Sequence, residues 1–106
     1  EIAREGTYTV GELTIDYNKH QALIRGENAK LTLNEFRIVA LLGKYAGKVL
    51  TYDFIIRELW GPQASSNNQI LRVNMANIRR KIEKNPAEPE YFFTEVGVGY
   101  RLAEGN

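Results

Sequence analysis

No cysteine occurs in the 106 residues, which excludes a disulfide framework and a thiolate metal site and makes a reducing cytoplasm the expected compartment. Histidine occurs once, as His20, in a polar turn between strand-like runs where a solvated turn residue is the simplest reading. No paired acids, serine motif or phosphate loop accompany it, so neither an enzyme nor a metal or cofactor site is expected. Long apolar runs are also missing. The longest is Ile38 to Leu42, against the roughly 20 residues that a membrane helix requires. With no basic-then-apolar leader either, no membrane partner is expected. A large net charge is absent too, the balance being +1, so total charge alone argues nothing for nucleic acid.

What is present is ordinary globular composition, 43% hydrophobic and 25% charged, enough for a single domain around one core. The chain opens on Glu1, and residues 1–6 read as the end of a linker, an expectation that places a partner domain upstream. Charge is unevenly distributed. Residues 1–61 carry eight basic and eight acidic side chains, whereas between Ser66 and Lys84 five cations (Arg72, Arg79, Arg80, Lys81, Lys84) face the single acid Glu83.

From Tyr8 to Leu31 the apolar residues alternate with period two (Tyr8, Val10; Leu13, Ile15, Tyr17; Ala22, Ile24; Ala29, Leu31), broken at Gly11, Asn18-Lys19 and Gly26-Glu27-Asn28. This predicts an antiparallel meander. The period changes at Thr32-Leu33-Asn34-Glu35, a capping box, after which Phe36, Val39, Ala40 and Gly43 predict a helix over 33–46. Thr51 is a second cap candidate, for a helix over 52–60 that Gly61-Pro62 ends. Asn67 or Asn68 can cap a third helix over 68–84. The runs 91–95 and 100–102, joined through Val96-Gly97-Val98-Gly99, predict a hairpin. Gly97-Val98-Gly99 lacks the strand-to-helix context of a nucleotide fingerprint and reads as a turn.

On a helical wheel Leu71, Met75, Ile78 and Ile82 fall within about 40° of one another and form the expected buried seam. Opposite lie Gln69, Val73, Ala76, Asn77 and Arg80. Amides suit adenine, a guanidinium suits guanine, and small apolar side chains allow close approach to thymine methyls in the major groove. Arg72 and Arg79 project together on one flank, with Asn74 and Lys81 on the other, where cations can grip phosphates. A merely solvated helix face is the plainer alternative. Two features weigh against it: no acid precedes Glu83, and the preceding short helix and turn make a helix-turn-helix arrangement. The hairpin, with Thr94, Tyr100 and Arg101 beside its tip, reads equally as an edge of the core sheet or as an arm reaching a backbone or minor groove. Trp60 reads as core more readily than as contact, although its indole N–H would suit a phosphate. A winged-helix protein-interaction module without DNA binding is the main rival. RNA binding would call for exposed stacking aromatics, which this pattern does not provide.

Leu31-Thr32-Leu33-Asn34-Glu35-Phe36, Gly47-Lys48-Val49-Leu50-Thr51, Leu59-Trp60-Gly61, Arg79-Arg80-Lys81-Ile82 and Gly97-Val98-Gly99-Tyr100-Arg101-Leu102 together resemble the OmpR/PhoB-type response-regulator output domain over nearly the whole chain. Trp60-Gly61-Pro62, Leu71-Arg72-Val73, Asn85-Pro86-Ala87 and Thr94-Glu95-Val96-Gly97 are most similar to the members that control potassium-uptake genes. The resemblance implies an α+β winged helix-turn-helix: an N-terminal four-stranded antiparallel sheet, a three-helix core and a C-terminal wing. It implies base contacts from Gln69, Val73, Asn74 and Asn77, and phosphate contacts from Thr51, Trp60, Arg79, Arg80, Thr94 and Tyr100. It further implies a receiver domain phosphorylated by a sensor histidine kinase, a dimer on tandem DNA half-sites when activated, and RNA polymerase as a candidate partner of the Gly61–Asn67 loop. Departures are Leu33 for a frequent Pro, Tyr52 for a frequent Arg, Arg72 for a frequent Asp, which adds a candidate phosphate or base contact, and Val96 for a frequent wing-tip Arg, which puts minor-groove insertion in doubt.

Overall fold

The computed structural model describes residues 6–64 and 68–105. The expected linker remnant therefore lies outside the described residues apart from Gly6, as do the cap candidate Asn67 and residues 65–67 of the polar loop. Strands β1 (Thr7–Val10), β2 (Leu13–Asp16), β3 (Gln21–Ile24) and β4 (Glu27–Asn28) form an antiparallel sheet in sequence order. The register sets Leu13 opposite Ile24 and Ile15 opposite Ala22. All four are buried, so the two central strands turn one face to the core, as period-two alternation requires. The predicted meander is present, but its last strand is shorter than Ala29 and Leu31 suggested. Lys30 adopts a positive φ of 58° and its N–H donates to the Asn28 side chain. That turn takes the chain off the sheet and aims it at the next helix.

Helix α1 (Leu33–Lys44) begins with the predicted capping box: the Glu35 N–H donates to Thr32 Oγ1, and the Thr32 N–H to Glu35 Oε1. It ends two residues before the expected Ala46, because the Gly47 N–H is given to the Leu102 carbonyl and the chain must turn to meet it. Its buried stripe is Phe36, Ile38, Val39, Leu42 and Gly43, with Ala40 and Leu41 only half buried. Gly43 allows a close crossing over β2, since a Cβ there would lie 2.5 Å from the Tyr17 hydroxyl and 2.9 Å from Ile15.

Helix α2 (Tyr52–Trp60) has the predicted bounds and the predicted Thr51 cap, whose hydroxyl accepts the Phe54 N–H. Just before it, Leu50–Thr51 forms a two-residue strand, β5, which sequence periodicity is too short to reveal. β5 pairs with β7 (Gly99–Leu102), and β7 with β6 (Phe92–Glu95), giving a second antiparallel sheet in the order β5-β7-β6. The closing hairpin is thus two strands of a three-stranded sheet, with β7 at its centre, and the Tyr52 N–H donates to the Val98 carbonyl near the hairpin tip.

Helix α3 (Gln69–Ile82) buries the predicted seam: Leu71, Met75, Ile78 and Ile82 are each at most 1% exposed. Each such side chain contributes roughly 1.5–3 kcal/mol. It is shorter than 68–84 at both ends. Asn68 stands at the cap position without a side-chain cap bond, and Glu83 has already left the helix at ψ 140°. Glu83 leaves because its buried carboxylate accepts three backbone N–H groups at the start of β6, from Glu90 (2.7 Å), Tyr91 (2.9 Å) and Phe92 (2.8 Å).

A second carboxylate ties α1 to α3. Glu35, almost fully buried, accepts the Lys81 ammonium at 2.6 Å. Burial pushes its carboxyl upward, but the Lys81 and Thr32 donors outweigh that, so Glu35 is held below its ordinary value. A depressed carboxylate stabilises the fold above its unfolded pKa, about 4.3, and that stabilisation is lost as pH falls through the lower folded value. Unfolding followed by circular dichroism should therefore show stability declining below about pH 4.5, and Glu35→Gln should flatten this part of the profile. An unchanged acid limb in the variant would contradict the assignment.

Candidate nucleic-acid interface

The face of α3 opposite its buried seam is open. Gln69, Val73, Ala76 and Arg80 are exposed and Asn77 is half buried. The Asn77 Oδ1 accepts a hydrogen bond from the Arg80 Nη2 one turn on, so the two form one polar unit. Asn74, on the flank, donates its amide to the Ile70 carbonyl at 2.8 Å and is partly turned back onto the helix. Ile70, at the other side of the first turn, is 48% exposed. Neither the wing nor the protein interior covers the outward stripe.

The cations that are adjacent in sequence separate in space. Lys81 points back to Glu35 and to the Lys30 carbonyl, and is half buried in a structural role. Lys84 lies 3.9 Å from Glu12 in the turn between β1 and β2. Arg79 crosses to the wing, its Nε and Nη2 donating to the Phe92 carbonyl (3.1 and 2.8 Å) and Nη2 also to Thr94 Oγ1 (2.7 Å), with its guanidinium 5.7 Å from the Tyr100 ring centre. Arg79 thus joins α3 to β6 while keeping positive charge beside the wing. Arg72 is exposed and no carboxylate among the described residues pairs with it. Positive charge on the outward side of α3 therefore rests on Arg72, Arg80 and, at the junction with the wing, Arg79.

The ring of Tyr100 is buried, edge-on to Tyr52 at 5.3 Å. Burial, with Tyr52 beside it, pushes its hydroxyl above the ordinary phenol value against the pull of Arg79 and Arg72. It therefore stays protonated and able to donate. Thr51 uses a lone pair to cap α2 and retains its hydroxyl proton for an external acceptor. Thr51, Tyr52, Asp53, Asn68, Gly97 and Val98 line a cleft of about 430 Å³ where the starts of α2 and α3 meet the wing turn. Trp60 is half buried against the margin of the core. At the wing, Glu95 and Arg101 are 3.5 Å apart and the Arg101 guanidinium lies over Phe93. The three-residue loop 96–98 turns on Gly97 at φ 77°, leaving Val96 91% exposed at the apex.

Residues 26–102 match the family described as "Transcriptional regulatory protein, C terminal". The chain belongs to this family. Among relatives of this transcriptional regulatory C-terminal domain, the KDP operon transcriptional regulatory protein KdpE of Escherichia coli is 42% identical over 92 residues, covering 86% of this chain and 40% of its own length. The response regulator DrrB of Thermotoga maritima, an OmpR/PhoB homologue, superposes with a TM-score of 0.86 at 31% identity, over 95% of this chain and 46% of its own. The RstA DNA-binding domain of Klebsiella pneumoniae, solved in complex with the RstA box, gives 0.82 at 29% identity, over 92% and 96%. The chain spans about two fifths of the length of the curated relatives it matches. The fold is the OmpR/PhoB-type winged helix, and transcriptional regulation is the family's role; the family is not an enzymatic class. No helix among the described residues is long and apolar enough to cross a membrane.

Within this transcriptional regulatory C-terminal domain the structure brings Gln69, Val73, Asn77 and Arg80 together on one face. It gathers Arg79, Thr94 and Tyr100 at the helix–wing junction, with the charge of Arg72 acting on Tyr100. Val96 stands at the wing tip, and Arg101 lies on β7 opposite Phe93, one step nearer the base of the hairpin than Tyr100. Sequence reasoning missed the Glu83 latch and the tether made by Arg79. One signal was available: an acid at a helix C-terminus opposes the helix dipole, so Glu83 needed another reason to be there.

Proposed function

We propose that this chain is the output domain of a two-component response regulator and binds double-stranded DNA sequence-specifically, with α3 in the major groove. The observation that carries this reading is the open outward face of α3. It holds amides, small apolar side chains and a guanidinium, and among residues 69–82 there is no acid to repel phosphates. Gln69, Arg72, Val73, Asn74, Asn77 and Arg80 are the proposed base-reading set, although the turned-back amide of Asn74 must swing outward to take part. Thr51, Trp60, Arg79, Thr94, Tyr100 and Arg101 are proposed to hold the backbone, with Val96 meeting the sugar-phosphate edge as an apolar tip. The Klebsiella relative, a DNA-binding domain solved in complex with the RstA box, supports DNA binding here.

Membership of this family supports the rest of the reading. A single copy makes few contacts and binds weakly, and two copies sit on tandem half-sites once an upstream receiver domain, phosphorylated by a sensor histidine kinase in the cytoplasm, pairs them. RNA polymerase is a candidate partner of the Gly61–Asn67 loop, of which 65–67 lie outside the described residues. Likeness to KdpE makes potassium-uptake genes the first targets to examine. To test DNA binding, the chain is equilibrated with a random duplex pool at about 50 and 200 mM salt. Retention of duplexes sharing a recurrent motif, with affinity falling at least tenfold between the two salts, is expected for a protein neutralising several phosphates. Failure to retain any duplex would leave protein interaction as the better account.

A further inference from the structure

We infer that Asn77 and Arg80 act as one unit that reads guanine, Asn77 serving to position the Arg80 fork; the inference rests on the DNA-binding reading above. Taken singly, an asparagine on a recognition helix suits adenine. It accepts from the exocyclic amino group at Oδ1 and donates to N7 from Nδ2. Here Oδ1 already accepts from Arg80 Nη2. The atom that would accept from adenine therefore has a cation against it, and adenine's amino hydrogens would approach that positive charge. What the pair offers outward is mostly donors, the Asn77 Nδ2 hydrogens and the remaining N–H groups of Arg80, since the one lone pair left on Asn77 Oδ1 lies beside the guanidinium. The base edge that presents two acceptors in the major groove is guanine, through O6 and N7.

The geometry also addresses the weakness of an exposed arginine as a reader, which is the freedom it gives up on binding. Asn77 is half buried and Arg80 exposed. Their three-residue spacing places both on one side of α3, so the more restrained side chain holds the freer one. Neither is bonded to a carboxylate among the described residues, and the charge of Arg80 stays available to a base.

The test uses duplexes that the 106-residue chain itself selects from a random pool, resynthesised with adenine or 7-deazaguanine at each conserved guanine. A guanine is expected at one fixed position of each half-site, and loss of its N7 acceptor should weaken binding roughly tenfold or more. Asn77→Ala should narrow the guanine-over-adenine preference at that position roughly fivefold while the salt slope stays as in the parent, because no charge is removed. Arg80→Lys, which keeps the charge and loses the fork, should narrow it at least as much. The inference is overturned if the selected motif carries adenine there, if 7-deazaguanine binds like guanine, or if Asn77→Ala keeps the full preference. Those results would leave DNA binding intact; only the absence of any retained duplex removes both.

Discussion

Glu83→Ala is expected to lower the stability of the domain by about 3 kcal/mol or more, and its melting temperature by about 12 °C or more. The carboxylate is buried and accepts the N–H groups of Glu90, Tyr91 and Phe92. Alanine would leave these donors without a partner, two of them where water has little access, and each buried orphan costs roughly 1–3 kcal/mol. Against a total of about 5–15 kcal/mol for a domain of this kind, that is a large fraction. Glu83→Gln should lie between, because the amide retains one acceptor oxygen but sets an NH₂ group against the other donors. Reversible denaturant unfolding gives the comparison directly. A loss below about 1 kcal/mol for the alanine variant would mean that water or a rearranged loop replaces the carboxylate. The latch also matters for the interface, since it fixes the start of β6 beside the end of α3, and the Arg79 bonds to Phe92 and Thr94 depend on that placement.

Ala76→Glu is expected to weaken DNA binding a hundredfold or more while leaving the fold unchanged. Ala76 is exposed in the middle of the outward face of α3, between Val73 and the Asn77–Arg80 pair. Glutamate is a good helix former, and exposed substitutions of this kind shift stability by no more than about 0.5 kcal/mol. The new carboxylate would sit where base acceptors and phosphates must approach, and like charges so placed cost several kcal/mol. Its bulk would also hold the helix away from the groove. Lys19→Gln, in the β2–β3 turn, changes net charge by the same amount away from α3 and should cost less than about threefold, as a distant screened charge does. Titration of both variants on a duplex selected by the parent chain decides the matter. Equal losses would show that total charge, rather than the α3 face, governs binding.

Much of the architecture was readable from residue order. Alternation at Leu13, Ile15, Ala22 and Ile24, the Thr32/Glu35 box, the Thr51 cap and the Leu71/Met75/Ile78/Ile82 seam are local signals, each set within a few residues by backbone geometry, and the structure has all of them. What was not readable depends on partners distant in sequence. β5 is two residues long and exists because β7 comes alongside. Helix α3 stops early because Glu83 is drawn to residues seven to nine positions later. The basic cluster appeared uniform in sequence, yet Lys81 is committed to Glu35, 46 residues away, and Arg79 to the wing. A wheel shows which way a long side chain leaves the helix, and not which acceptor it meets at its end.

The central claim is that the outward face of α3 is the surface laid against DNA. It is tested most directly by following backbone amide resonances of the chain as a selected duplex is added. The account predicts that the largest shifts fall on Gln69, Val73, Ala76, Asn77 and Arg80, with a second group at Thr94 to Tyr100. Shifts concentrated instead on the four-stranded sheet, or around the His20, Leu41 and Leu59 groove, with α3 unmoved, would contradict it.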